Sequence, residues 1–246
     1  MAGSFSIGSF SIGSLESLRF AECSGDFNPL HIDPVVAGRS RFGGTIVHGV
    51  HAFLKAVDTI LDATRKPVAL QSLRLKFHRP IPTAAPVDSM VGVVGAKDSL
   101  QLSCGGKIAQ KDTFEWVDSA EDSGIAECPS AFRREPRELT LAACGSASGF
   151  VTTGFDAALA KHLLPSASQW LPAAQLGTIL ALSRIAGMEC PGLNSLFFSC
   201  EGEFVEGQSG SGLSFRTVET DDRLGMVYME VHSPSFRGKL QAILRN

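Results

Sequence analysis

The stretch Ser24-Gly25-Asp26-Phe27-Asn28-Pro29-Leu30-His31 decides how this chain is read. It sets a carboxylate and an imidazole five residues apart across a turn. Asn28 favours an Asx-type turn, while Pro29 fixes its own φ and keeps Asn28 out of the α region. A short helix starting near Pro29 would turn Asp26 and His31 into one cavity. Imidazole titrates near neutral pH, and burial can tune a carboxyl towards it. A water between the two could lose a proton to one group while the other protonates a neighbouring atom. The plainer alternative is that Asp26 or Asn28 caps a helix and His31 sits on the surface.

Seventeen residues further on, His48-Gly49-Val50 opens an apolar run. Val50, Ala52, Phe53, Ala56, Val57, Ile60 and Leu61 follow at largely helical spacing. The approach, Phe42-Gly43-Gly44-Thr45-Ile46-Val47, is glycine-rich. A helix starting at Gly49 presents unpaired N–H groups and the positive end of its dipole. A carbonyl placed there would develop negative charge opposite those donors, as in an oxyanion hole. The alternative is a buried helix whose glycine serves packing.

Residues Arg19 to Pro34, followed by Ile46-Val47-His48-Gly49, closely resemble the MaoC-like (R)-specific enoyl-CoA hydratases. Leu75-Lys76-Phe77-His78-Arg79-Pro80-Ile81 also looks like the strand after the central helix in that family, and the resemblance covers roughly residues 14 to 96. It implies a hot-dog fold, with Asp26 and His31 as the dyad that activates water and delivers a proton. It implies that the backbone N–H of Gly49 holds the thioester oxygen, that Asn28 shapes the loop, and that His48 supports the helix start. Val50 and Val57 would line the acyl pocket. Val57 stands where family members often carry a small polar residue, so the pocket wall departs from the pattern.

The chain has 246 residues, long for one hot-dog unit and suited to two. It is 44% hydrophobic and 19% charged, enough apolar material for a proper core. No apolar run has membrane-spanning length, and no secretory signal is visible. Net charge is −3, which gives no reason to expect nucleic-acid binding. The six cysteines form no C-x-x-C pair and read as free thiols of a reducing cytosol. Cys23 adjoins the motif, but nothing nearby marks it as a thiolate.

Along the chain, residues 5 to 14 hold a tandem Phe-Ser-Ile-Gly-Ser repeat, read as a strand or a frayed end. Ser14 to Ala21 reads as a helix. Leu70 to Phe77, Ser89 to Val94 and Leu100 to Trp116 read as strands. Val117 to Glu138 has linker composition. The expected domains are therefore 1–120, carrying the motif, and 141–246, without one, joined by 121–140. In the second half Ala173 to Ala186 reads as an apolar helix begun by Pro172, with a helix stop and turn over Gly187 to Gly192. Ser195 to Val205, Leu213 to Glu219, Met226 to His232 and Phe236 to Leu244 read as strands, with a turn at Asp221-Asp222. Ser183 to Leu193 resembles the second module of tandem hot-dog proteins. The expected class is α+β: a double hot-dog, with two antiparallel sheets each wrapped around a long central helix.

Other candidates carry less. His31, His48 and His51 suggest a metal trio, but their spacing fits no zinc pattern, so no metal is expected. His78-Arg79 either meets the phosphates of a carrier arm or ends a solvated strand. Gly207 to Gly212 lacks the features of a phosphate loop or nucleophile elbow and reads as a hairpin loop. Arg133, Arg134 and Arg137 read as a solvated linker face or as a docking patch for an acidic carrier protein. Arg184 and Glu189 could reach the pocket or simply end a helix.

The resemblance implies a hydro-lyase that reversibly hydrates trans-2-enoyl thioesters to (R)-3-hydroxyacyl thioesters, carried on coenzyme A or acyl carrier protein. No cofactor is required. The chain is expected to be cytoplasmic, without membrane insertion, and able to dimerise as a tandem unit. One alternative is a hot-dog thioesterase using Asp58. Another is a non-catalytic acyl-binding or structural subunit.

Overall fold

A computed structural model of the chain describes residues 4–119, 132–205 and 210–245. The first half runs β1 (Phe5–Phe10), α1 (Ser14–Ser24), α2 (Pro29–Ile32), α3 (Pro34–Gly38), α4 (Gly49–Thr64), β2 (Val68–Phe77), β3 (Val87–Val94), β4 (Lys97–Cys104) and β5 (Lys107–Asp118). The second runs α5 (Leu141–Cys144), β6 (Ser148–Thr152), α6 (Ala157–Leu163), α7 (Pro165–Trp170) and α8 (Ala173–Arg184). A π-helical turn, Ile185–Glu189, extends α8. β7 (Ser195–Phe204), β8 (Gly212–Asp221), β9 (Met226–Ser233) and β10 (Phe236–Leu244) complete the order.

The ten strands form one sheet, in the order β1-β3-β4-β5-β2-β7-β10-β9-β8-β6, with every neighbouring pair antiparallel. Each half contributes five strands in the same relative order. The two expected sheets are thus five-stranded halves of one, joined where β2 pairs with β7. Leu75 of β2 faces Cys200 of β7 in that seam.

The long helices lie against this sheet because their apolar residues repeat at helical spacing. From α4, Val50, Ala52, Phe53, Leu54, Ala56, Val57 and Leu61 enter the core. From α8, every residue from Leu176 to Arg184 is buried. A helix buried all round is one enclosed by protein on every side. Buried Leu73 and Leu75 flank exposed Arg74 in β2, and buried Leu213 and Phe215 flank exposed Ser214 in β8, as one-face burial requires; Phe53 and Phe114 meet edge-on with centroids 6.0 Å apart.

Pro172 precedes α8 at its N-cap rather than starting it. Gly187 does not stop the helix; it sits inside the π turn. β6, α6 and α7 are absent from the sequence reading. α7 packs on α4, and the bond between them is polar. Oδ1 of Asp58 accepts the N–H groups of Ser166 and Ala167, both at 2.8 Å. These are orphan donors of a helix start, so Asp58 caps α7 from outside. Part of the expected linker, residues 120–131, and Gly207 to Ser209 of the glycine-rich loop lie outside the described residues. Among the described residues Cys104, Cys144, Cys190 and Cys200 form no disulfide. No helix of the described residues is long and apolar enough to cross a membrane.

Candidate active site

The loop between α1 and α2 carries Asp26, and its geometry follows from the Asn-Pro step. Oδ1 of Asn28 accepts the N–H of Leu30 at 3.1 Å and so caps α2, whose first residue is Pro29. The same side chain reaches across to the second half. Its Nδ2 donates to the carbonyls of Gly187 and Gly192 at 3.2 and 3.0 Å. The N–H of Phe27 meets the sulfur of Met188 at 3.2 Å. The loop is therefore held from both sides.

Asp26 is 2% exposed. The hydroxyl of Ser183 donates to its Oδ2 at 2.6 Å, and the N–H of Asn28 donates to its Oδ1 at 3.3 Å. A Cβ on Gly187 would run into this carboxylate, so the π turn approaches it as only glycine allows. Burial raises the carboxyl above its ordinary pKa; His31, the Ser183 bond, the Asn28 bond and Arg184 pull the other way.

His31 lies on α2 with Nδ1 2.8 Å from the carbonyl of Ile46. That carbonyl can only accept, so Nδ1 carries the proton and Nε2 keeps a lone pair. Burial lowers the imidazole pKa, against the nearby Asp26 and the Ile46 bond. His48, the N-cap of α4, places Nε2 3.0 Å from the backbone carbonyl of Asp26. Its ring stacks on that of His31 with centroids 3.8 Å apart. One ligating atom each from Asp26, His31 and His48 lies within 4.8 Å of the others. This spacing leaves room for one small polar guest, a water or an ion. His51 stands apart, stacked on Phe20 at 4.4 Å, so the sequence trio of three histidines is not assembled.

A cavity of about 210 Å³ opens beside these groups, and His31, His48, Gly49, Ser183 and Gly187 line it. Gly49 is the first residue of α4, and the ring of Phe77 lies where its Cβ would be. Exposed Arg41, His78, Arg79 and Pro80 form the outer rim. Phe77, Ile81, Leu196 and Phe197 form apolar wall. Val50 and Val57 do not reach it. They are 0% and 2% exposed and belong to the hydrophobic core. The expected linker arginines, Arg133, Arg134 and Arg137, are exposed, and they also make contacts within the fold. Nη2 of Arg133 donates to the Met188 carbonyl at 2.8 Å and to Glu189 at 2.9 Å, and Arg134 lies 4.7 Å over the ring of Phe27. Arg184 is buried, with its guanidinium 4.4 Å over Phe132.

Ser183 is the residue the sequence reading did not single out. Its signal was its place in a segment that resembles a second hot-dog module.

Known proteins resemble this chain in sequence over its first half and in fold over nearly all of it. The model of the MaoC like domain fits residues 11–111, which contain Asp26, Asn28, His31, His48 and Gly49. Residues 11–111 are a MaoC-like domain. Over 38 residues the chain is 50% identical to an (R)-specific enoyl-CoA hydratase of Aeromonas caviae. That match covers 15% of this chain and 28% of that relative's length. A solved structure described as a MaoC-like dehydratase superposes with a TM-score of 0.62, at 11% identity over 98% of both chains. A conserved protein of Mycobacterium tuberculosis described as having a double hot-dog fold superposes with a TM-score of 0.61, at 12% identity over 99% of this chain and 96% of that one. A MaoC-like dehydratase of Phytophthora capsici gives 0.57 at 10% identity, over 100% of this chain and 95% of that one. At these identities the likeness is one of fold, and the fold is the double hot-dog.

Proposed function

We propose that this chain reversibly hydrates trans-2-enoyl thioesters to (R)-3-hydroxyacyl thioesters, with Asp26 and His31 as the proton-transferring pair. The observation that carries the reading is the placement of both groups within 4.8 Å of each other, beside a cavity that also exposes the start of α4. The MaoC-like domain and the partial match to an (R)-specific hydratase support the same class of reaction.

In the hydration direction a water sits between Asp26 and His31. Its oxygen bonds to C3, and the C2=C3 π electrons move onto the thioester oxygen as an enolate. The N–H at Gly49 and the α4 dipole stabilise that charge. One proton leaves the water for the dyad, and one returns from the dyad to C2, so H and OH are added in balance. Burial raises Asp26 and lowers His31, which brings two unlike groups closer in proton affinity. Arg41, His78 and Arg79 stand at the rim, suited to phosphate groups of a coenzyme A or carrier-protein arm. We read 1–120 and 141–246 as two modules, the second completing the site of the first, and the protein as cytoplasmic.

The thioesterase alternative draws no support from Asp58. Its carboxylate is occupied with capping α7, where it accepts the N–H groups of Ser166 and Ala167.

The test is an assay with crotonyl-CoA and a longer trans-2-enoyl-CoA, following enoyl absorbance and product stereochemistry. An (R)-3-hydroxy product is expected from the wild type. Asp26→Asn and His31→Ala should each lose about 10²–10⁴-fold in rate. Full activity in either variant, or no turnover on coenzyme A and carrier-protein thioesters alike, refutes the reading.

A further inference from the structure

One polar group on the cavity wall takes no part in the dyad. Gln110 lies on β5 opposite Phe77 of β2, and Phe77 is the side chain packed on Gly49. Gln110 lines the cavity yet is 1% exposed. Its Nε2 donates to Oδ2 of Asp112 at 2.9 Å. Oδ1 of Asp112 in turn accepts the N–H of Lys76 at 3.3 Å, and Asp112 is itself 2% exposed. The amide is thus anchored at its nitrogen end. Its Oε1 is buried and has no hydrogen-bond partner.

An unpaired buried acceptor forfeits the hydrogen bond it made to water and gains none in return. Folded proteins seldom leave one so unless a ligand or an ordered water completes it. A pocket for a plain hydrocarbon tail gains nothing from a buried amide backed by a buried carboxyl. The neighbouring wall of Phe77, Ile81, Leu196 and Phe197 is what such a tail needs. The carrier arm is an unsuitable donor, because the exposed rim of Arg41, His78 and Arg79 is where it enters. Gln110 is 1% exposed, whereas Arg41, His78 and Arg79 are open to solvent.

We propose that Gln110, held by Asp112, is a polar subsite of the acyl pocket that accepts a hydrogen bond from a hydroxyl on the substrate chain, beyond the carbons that react. The substrate class is then a hydroxylated enoyl thioester rather than a simple alkenoyl one. This inference rests on the thioester reading above.

The test is equilibrium binding, measured calorimetrically, of hexanoyl-CoA and its 4-, 5- and 6-hydroxy derivatives. These saturated thioesters cannot be hydrated, so binding is read apart from turnover, and all share one carrier arm. Wild type should bind at least one hydroxy derivative about tenfold tighter than hexanoyl-CoA, the worth of one net hydrogen bond. Gln110→Met should lose that preference. The double variant Gln110→Leu with Asp112→Leu replaces both partners by apolar groups, which protects folding, and should favour hexanoyl-CoA. Equal binding of all four by wild type means that an ordered water completes Gln110, and overturns this inference alone. A preference that survives in both variants removes Gln110 from the subsite. Failure of wild type to bind any of the four overturns the thioester reading with it.

Discussion

The hydroxyl of Ser183 donates to Oδ2 of Asp26 at 2.6 Å, joining residues that lie 157 positions apart. The bond favours the ionised carboxyl, against the burial that raises its pKa. Ser183→Ala therefore frees Asp26 to titrate higher still. A hydrogen bond to a charged group is worth about 1.5–3 kcal/mol. The expected outcome is a fall of about 10–100-fold in kcat/KM at neutral pH. The acidic limb of the pH–rate profile should move upward, a displacement that loss of packing alone would not produce.

Gly187 tests the approach of the π turn to the same carboxylate. A methyl group there meets Oδ1 of Asp26 and must displace it. Gly187→Ala should keep the fold, since α8 and the sheet need nothing from this position, but should lose at least about 10²-fold in activity. Circular dichroism beside the hydratase assay separates the two effects.

Much of this site was legible in the sequence, and the reasons are local. Asp26, Asn28, Pro29 and His31 lie in one turn, and turn chemistry acts over a few residues. The start of α4 was marked by Gly49 and the apolar spacing after it. Ser183 and Gly187 were hidden because their roles come from contact with a loop far away in the chain. Val50 and Val57 misled for a related reason: helical spacing names a buried face without saying whether a cavity or packed side chains cover it. The short helix α7 escaped because its cap, Asp58, comes from a distant helix, whereas α6 carries a local cap, Asp156, that the sequence reading passed over.

Asp58→Ala separates stability from chemistry. Removing it strands the N–H groups of Ser166 and Ala167. The expected cost is about 1–2 kcal/mol, as for other caps, read as a lower midpoint in urea. Hydration should persist in the folded variant.

His51 predicts acid behaviour. Burial, with Lys55 and His31, pushes its pKa down to about 3 from an ordinary 6.5. The unfolded chain thus binds a proton that the folded chain refuses. By linkage its contribution to stability is present above pH 6.5 and is lost as pH falls towards 3. At pH 5 the deficit is roughly 2 kcal/mol. His51→Phe, which keeps a ring on Phe20, should unfold at a higher temperature than wild type at pH 5 and should lose that advantage at pH 8.

The seam between β2 and β7 has an evolutionary consequence. Where two identical subunits meet about a two-fold axis, every substitution appears on both sides. Here the two sides of the seam are separate stretches of one chain. A change that suits one side need not be tolerated on the other. Such independence lets α4 keep a plain glycine start while α8 runs on into a π turn with Ser183 before it. Covalent linkage has turned a repeated architecture into one whose halves answer to different selection.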